Sequence, residues 1–151
     1  MIDKKILLVE DGEYKKKSVV SYLKNELGCE SIDIESSYSS AVKALVNKDY
    51  DLAIIDMSLP TFDQSQSDIS GDFRALAGLD IARQIERRKV QIKFVFLTQY
   101  QSLSTEEDSL DLLEITKIAT DLYHDKFKGA IYYEHSGSKW KEGIKEFVLG
   151  E

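Results

Sequence analysis

The sequence predicts an α/β fold, a doubly wound five-stranded parallel sheet with helices packed on both faces. Two observations carry that expectation. Residues 6–9, 52–55, 94–97 and 130–133 are apolar throughout and rich in β-branched or aromatic side chains, as strands covered on both faces must be. Between them lie apolar stripes at helical spacing, so strand and helix alternate, and right-handed crossovers then lay the strands parallel.

The elements follow in order. A fifth strand is expected at residues 31–35, where Ile32 and Ile34 alternate with polar residues as on a sheet edge. Val19, Val20, Leu23 and Leu27 form the first helical stripe, and Gly28 stops it. Ala41, Val42 and Leu45 form the second, and Leu79, Ala82 and Ile85, just after Gly78, the third. Leu112, Ile115, Ala119 and Leu122 form the fourth, with a helix start expected at Ser104 or Thr105, and Trp140, Ile144, Phe147 and Val148 the fifth. Two connections are long and polar, residues 60–77 and 99–108. Loops of more than about 12–15 residues are usually functional or unstructured.

Composition narrows the function. The chain has 151 residues, 42% of them hydrophobic and 31% charged, with a net charge of -7. That is a globular composition without the surplus of Lys and Arg that nucleic-acid binding needs; it suits a cation or a basic protein partner. The lone Cys29, read as a small residue near the end of the first helix, has no disulfide partner and points to a reducing compartment. With no membrane-length apolar run and no signal sequence, the expected location is the cytoplasm.

In an open parallel sheet, ligands bind beyond the carboxyl ends of the strands, at the switch in strand order. The residues just past those ends are Glu10 and Asp11, Asp56, Thr98, and Tyr133 with Glu134. Crowded carboxylates repel and call for a cation. Mg²⁺, which takes a few carboxylates plus water and phosphate oxygens, fits best. An aspartate beside such an ion can act as a nucleophile toward phosphorus, and a hydroxyl such as Thr98 can bond the transferred group.

Residues 5–11 ending in Glu10-Asp11, residues 51–60 carrying Asp56 and the later Leu59-Pro60, and residues 94–98 ending in Thr98 resemble response-regulator receiver domains. The resemblance spans nearly the whole chain. It implies a flavodoxin-like three-layer α/β/α fold in one receiver-like domain over residues 1–151, with an insertion at about 61–77. It further implies Asp56 as phosphoacceptor and Thr98 as switch hydroxyl. Glu10, Asp11, Asp56 and the backbone carbonyl of Ser58 would be the Mg²⁺ ligands. The implied partners are a histidine kinase or phosphotransfer protein and a downstream protein target, with no nucleic acid and no membrane. The implied chemistry is phosphoacceptance with at most self-phosphotransfer or autodephosphorylation. A surface of the fourth helix, fifth strand and fifth helix would signal. The chain stops soon after the fifth helix, so no fused output module is expected.

One part of the family pattern is missing. A lysine ordinarily ends the fifth strand and bonds the phosphoryl oxygens, whereas Tyr133 stands there, followed by Glu134. Three readings stay open: a site that accepts phosphate slowly and signals differently, a phosphate-independent pseudo-receiver, or a cation supplied from elsewhere by Arg74, Lys128 or Lys139. A small Mg²⁺-dependent phosphohydrolase is a further alternative, against which Ser58 stands where a second aspartate would serve as acid or base. Asp63, Asp68 and Asp72 lack the spacing of a calcium loop, and His124 and His135 read as surface histidines.

Overall fold

Strand residues of alternating parity fill two separate cores, which is why the central runs are apolar at every position. Leu7 and Val9, with Ala53 and Ile55, and Phe94 and Phe96, face one layer; Ile6 and Leu8, with Leu52 and Ile54, and Val95 and Leu97, face the other. The computed structural model describes residues 2–63, 73–99, 102–104, 109–134 and 136–150.

In chain order the elements are β1 (Ile2–Val9), α1 (Glu13–Ser21), β2 (Cys29–Glu35), α2 (Tyr38–Asn47), β3 (Leu52–Ile55), β4 (Leu59–Pro60), β5 (Phe73–Arg74), α3 (Ala77–Arg87), β6 (Lys93–Thr98), β7 (Ser102–Ser104), β8 (Ser109–Asp111), α4 (Leu112–Tyr123), β9 (Phe127–Tyr132) and α5 (Lys139–Leu149). Five parallel strands form the main sheet in the order β2-β1-β3-β6-β9. α2, α3 and α4 cover one face, and α1 and α5 the other. This is the expected doubly wound, flavodoxin-like sandwich, and its switch in strand order falls between β1 and β3.

Local chemistry explains the boundaries. α1 runs on as a π-helical turn over Tyr22–Glu26 and stops at Gly28, whose φ of 73° is left-handed backbone that glycine adopts without a Cβ clash. The Ser37 hydroxyl accepts the Ser40 N–H at 3.1 Å while Ser40 Oγ accepts the Ser37 N–H, a reciprocal cap that fixes the start of α2.

Four expectations need correction. β2 begins at Cys29, two residues before the strand start expected at Ser31, and burial pushes the Cys29 thiol pKa up. α4 begins at Leu112 under an Asp111 cap that accepts the Glu114 N–H at 2.8 Å, because a carboxylate at that position meets the free N–H groups of the first turn. Ser104 lies in β7, which pairs with β8 as a hairpin, and Thr105 lies outside the described residues. The buried stripe of α4 is Ile115, Ala119 and Tyr123, with Leu122 60% exposed. The long connection after β3 closes on itself: β4 and β5 pair antiparallel, Leu59 opposite Arg74 and Pro60 opposite Phe73. Asp68, Asp72 and His135 lie outside the described residues. Among the described residues, no helix is long and apolar enough to cross a membrane.

Ile54 is wholly buried in the central strand. Ile54→Ala is expected to cost about 2–5 kcal/mol in urea unfolding, whereas Val46→Ala, at a site 51% exposed, should stay within about 0.5 kcal/mol of wild type.

Candidate functional site

The parallel register brings the acidic residues together. β1 and β3 align Leu8 with Ile54 and Val9 with Ile55, and the Asp56 N–H donates to the Val9 carbonyl at 3.0 Å. The next step past the strands sets Glu10 beside Asp56. Ligand oxygens of Glu10, Asp11 and Asp56 all fall within 4.8 Å of one another. Glu10 and Asp56 are buried, at 4% and 6% exposure, while Asp11 is partly open to solvent.

Two of these carboxylates share a cation that the sequence reading did not find. Lys15, in the first turn of α1, is 3% exposed. Its Nζ lies 2.7 Å from Glu10 Oε1 and 3.2 Å from Asp56 Oδ1, and it donates to the Leu97 carbonyl at 2.6 Å. The Leu97 carbonyl takes a hydrogen bond from the ammonium, while Glu10 and Asp56 are its ion-pair neighbours. Lys15 sits one helical turn before Val19, so its side chain leaves α1 on the buried stripe. Among the described residues Asp11 makes no ion pair within 4 Å.

Hydrogen bonds hold the acids in place. Glu10 Oε2 accepts the Gly12 N–H at 2.9 Å, and a Cβ at Gly12 would stand 3.1 Å from that oxygen. Asp56 Oδ1 accepts the Met57 N–H at 2.8 Å. The pKa of Glu10 is pushed up to about 7, first by burial and then by the Asp56 carboxylate, with Lys15 and the Gly12 N–H pulling it back. Burial and then Asp56 also raise Asp11.

The other expected residues frame this cluster. Thr98 ends β6 fully buried, and its carbonyl accepts the Tyr133 N–H at 2.8 Å. Ser58, 7% exposed, donates its hydroxyl to the Ala75 carbonyl at 3.1 Å, and the Gly78 N–H donates to the Met57 carbonyl at 2.9 Å. These two bonds stitch the chain just after Asp56 to the start of α3.

Tyr133, one residue past β9, is buried with its ring 5.2 Å from that of Trp140. The Lys15 ammonium lies over the Tyr133 ring, 5.5 Å from its centroid. None of the three cations expected to compensate for the absent lysine reaches the rim. Arg74 stacks on Tyr38 at 4.2 Å and pairs with Asp80 at 3.2 Å, while Lys128 and Lys139 are exposed. Lys15 escaped because it stands in a run with Lys16 and Lys17 that resembles a solvated face. The available signal was its four-residue step to Val19 and Leu23.

The donor set fits a hard divalent ion: clustered carboxylate oxygens, one of them exposed, at the carboxyl edge of a parallel sheet. Lys15 takes the side between Glu10 and Asp56 and makes no ion pair with Asp11.

Comparisons with known proteins agree with the fold. The family model described as response regulator receiver domain matches residues 6–116. An uncharacterized protein, y4jR, of Sinorhizobium fredii is 23% identical over 146 residues, covering 96% of this chain and 97% of that protein. The Detocs response regulatory protein DtcB of Enterobacter cloacae is 23% identical over 142 residues, covering 93% and 95%. Among solved structures, the response regulator TrrA of Thermotoga maritima, in complex with Mg²⁺ and beryllofluoride, superposes with a TM-score of 0.56 at 22% identity, covering 95% of this chain and 97% of that one.

Glu10 generates a pH dependence. Its folded pKa of about 7 lies above the ordinary glutamate value of 4.5, so the folded state holds the proton where the unfolded chain has lost it. Its contribution to stability is therefore complete below the lower value and lost as pH rises through the upper. From about pH 4 to about pH 8, wild type should lose on the order of 1–3 kcal/mol relative to E10Q, measured by urea unfolding across pH.

Proposed function

The chain belongs to the response regulator receiver family, and on that footing we propose that it accepts a phosphoryl group on Asp56 and signals through protein contacts. The observation that carries this reading is the buried Asp56 at the end of the central strand, with Glu10 and Asp11 ligand oxygens within 4.8 Å. Glu10, Asp11, Asp56 and the Ser58 backbone carbonyl would hold Mg²⁺, which when bound neutralises charge on the transferring group.

The residues of the chain account for the rest. Oδ1 of Asp56 carries the Met57 and Lys15 contacts, leaving Oδ2 to attack. A lone pair on Oδ2 forms the new O–P bond. The bond from phosphorus to the donor breaks, its electron pair staying with the donor, an imidazole nitrogen in a phosphohistidine protein. The product is an acyl phosphate, and the Thr98 hydroxyl is the group to donate to its oxygens. The donor is a histidine kinase or phosphotransfer protein, and a downstream protein reads the result. The regulatory role in the name of the relative DtcB supports that placement.

A second reading, a receiver-shaped module that works without phosphate, draws on one observation. Tyr133 is packed against Trp140 at the position where the family carries its lysine.

Incubation with phosphoramidate and Mg²⁺ separates the two. Intact-mass spectrometry should find one hydroxylamine-sensitive phosphoryl group on wild type and only background on D56N. An unmodified wild type under conditions that phosphorylate a known receiver would favour the phosphate-independent module.

A further inference from the structure

We propose that Lys15, delivered from α1, is the cation that binds the phosphoryl group on Asp56, replacing the lysine that Tyr133 displaced from the end of the last sheet strand. This rests on the phosphoacceptor reading above and names the residue that completes it.

Placement is the first argument. The ammonium touches both Glu10 and Asp56, at 2.7 and 3.2 Å. It approaches on the side of Leu97, whose carbonyl it bonds at 2.6 Å, in the residue just before Thr98. A group transferred to Asp56 would form within reach of this Nζ and next to the end of β6.

Donor accounting is the second. In the unmodified protein the ammonium donates to the Leu97 carbonyl and is ion-paired with Glu10 and Asp56, and Glu10 Oε1 accepts no hydrogen bond among the described residues. Phosphoryl transfer to Oδ2 removes the charge of the carboxylate and leaves Oδ1 the carbonyl oxygen of a mixed anhydride, a weak acceptor. The incoming group brings anionic oxygens, which accept charge-assisted hydrogen bonds about twice as strong as neutral ones. The ammonium turns a donor to a phosphoryl oxygen while the Leu97 bond and the Glu10 ion pair keep Lys15 anchored. No proton leaves the lysine.

The third argument is the seat beneath it. Tyr133 lies under the ammonium, 5.5 Å from Nζ to the ring centroid, and Trp140 backs Tyr133 at 5.2 Å. Trp140 is pinned in turn, its Nε1–H donating to the Gly137 carbonyl at 3.2 Å. The strand-end position therefore presents an aromatic face to a cation in place of a cation itself.

The competing account is a purely structural lysine that neutralises Glu10 and Asp56. Beryllofluoride, a phosphoryl mimic, separates the two when titrated with Mg²⁺ into wild type, K15M and K15M/Y133K and followed by ¹⁹F spectra and amide shifts. Wild type should bind it and shift amides of α1 around Lys15. K15M should bind Mg²⁺ alone at least as tightly as wild type, since a neighbouring positive charge is gone, yet bind beryllofluoride about tenfold or more weaker. K15M leaves two buried carboxylates facing each other, so K15M/Y133K, which returns a lysine to the end of β9, serves as its charge-balanced counterpart and should recover binding. Beryllofluoride affinity of folded K15M equal to wild type, or a folded double variant no better than K15M, overturns the assignment of Lys15 alone. A wild type that takes up no beryllofluoride overturns the phosphoacceptor reading, and this inference with it.

Discussion

The carboxyl rim of this sheet depends on one buried contact, the Lys15 ammonium shared by Glu10 and Asp56. Parallel pairing of β1 with β3 forces those two acids side by side. Two carboxylates at that depth repel, and burial penalises each of them further. An ammonium a few ångströms from both offsets part of that penalty. Removing one partner of such a buried set generally costs about 3–5 kcal/mol. The contact also ties α1 to the ends of β1, β3 and β6 at once, since the Leu97 carbonyl accepts a hydrogen bond from the same ammonium.

That arrangement divides the rim into two sides. Between Glu10 and Asp56 one ammonium already offsets part of the negative charge. Around Asp11, partly exposed and outside every ion pair among the described residues, negative charge stands open to solvent. A divalent ion and an ammonium can then serve the same aspartate from different directions. Asp56 can carry both because the Met57 N–H and Lys15 both approach Oδ1.

Much of this was legible in the sequence, because its signals are local and periodic. Fully apolar runs mark β1, β3, β6 and β9, and the acids immediately following them mark the rim. Helix starts were less legible. The start of α4 hinges on one capping carboxylate, Asp111, and not on the acidic stretch before it. Lys15 was hidden for another reason. Its role depends on contacts with residues 41 and 82 positions away, Asp56 and Leu97, and adjacent lysines disguise its place on the apolar stripe. The absent lysine at Tyr133 could be seen by position, whereas its replacement could be seen only in space. Arg74 shows the converse: a cation near the site in sequence whose guanidinium is occupied by Tyr38 and Asp80.

The paired strands β4 and β5 have a consequence for how this chain can diverge. They pair the two ends of the connection after Asp56, and Ser58 and Gly78 sew those ends to the phosphoacceptor loop and α3. Once the ends of a loop are clamped, each doubling of its length adds only about 0.6 kcal/mol of closure entropy. The segment between the clamps is thus an exchangeable cassette. The position freest to gain, lose or trade residues lies directly beside the one carboxylate that the fold cannot move.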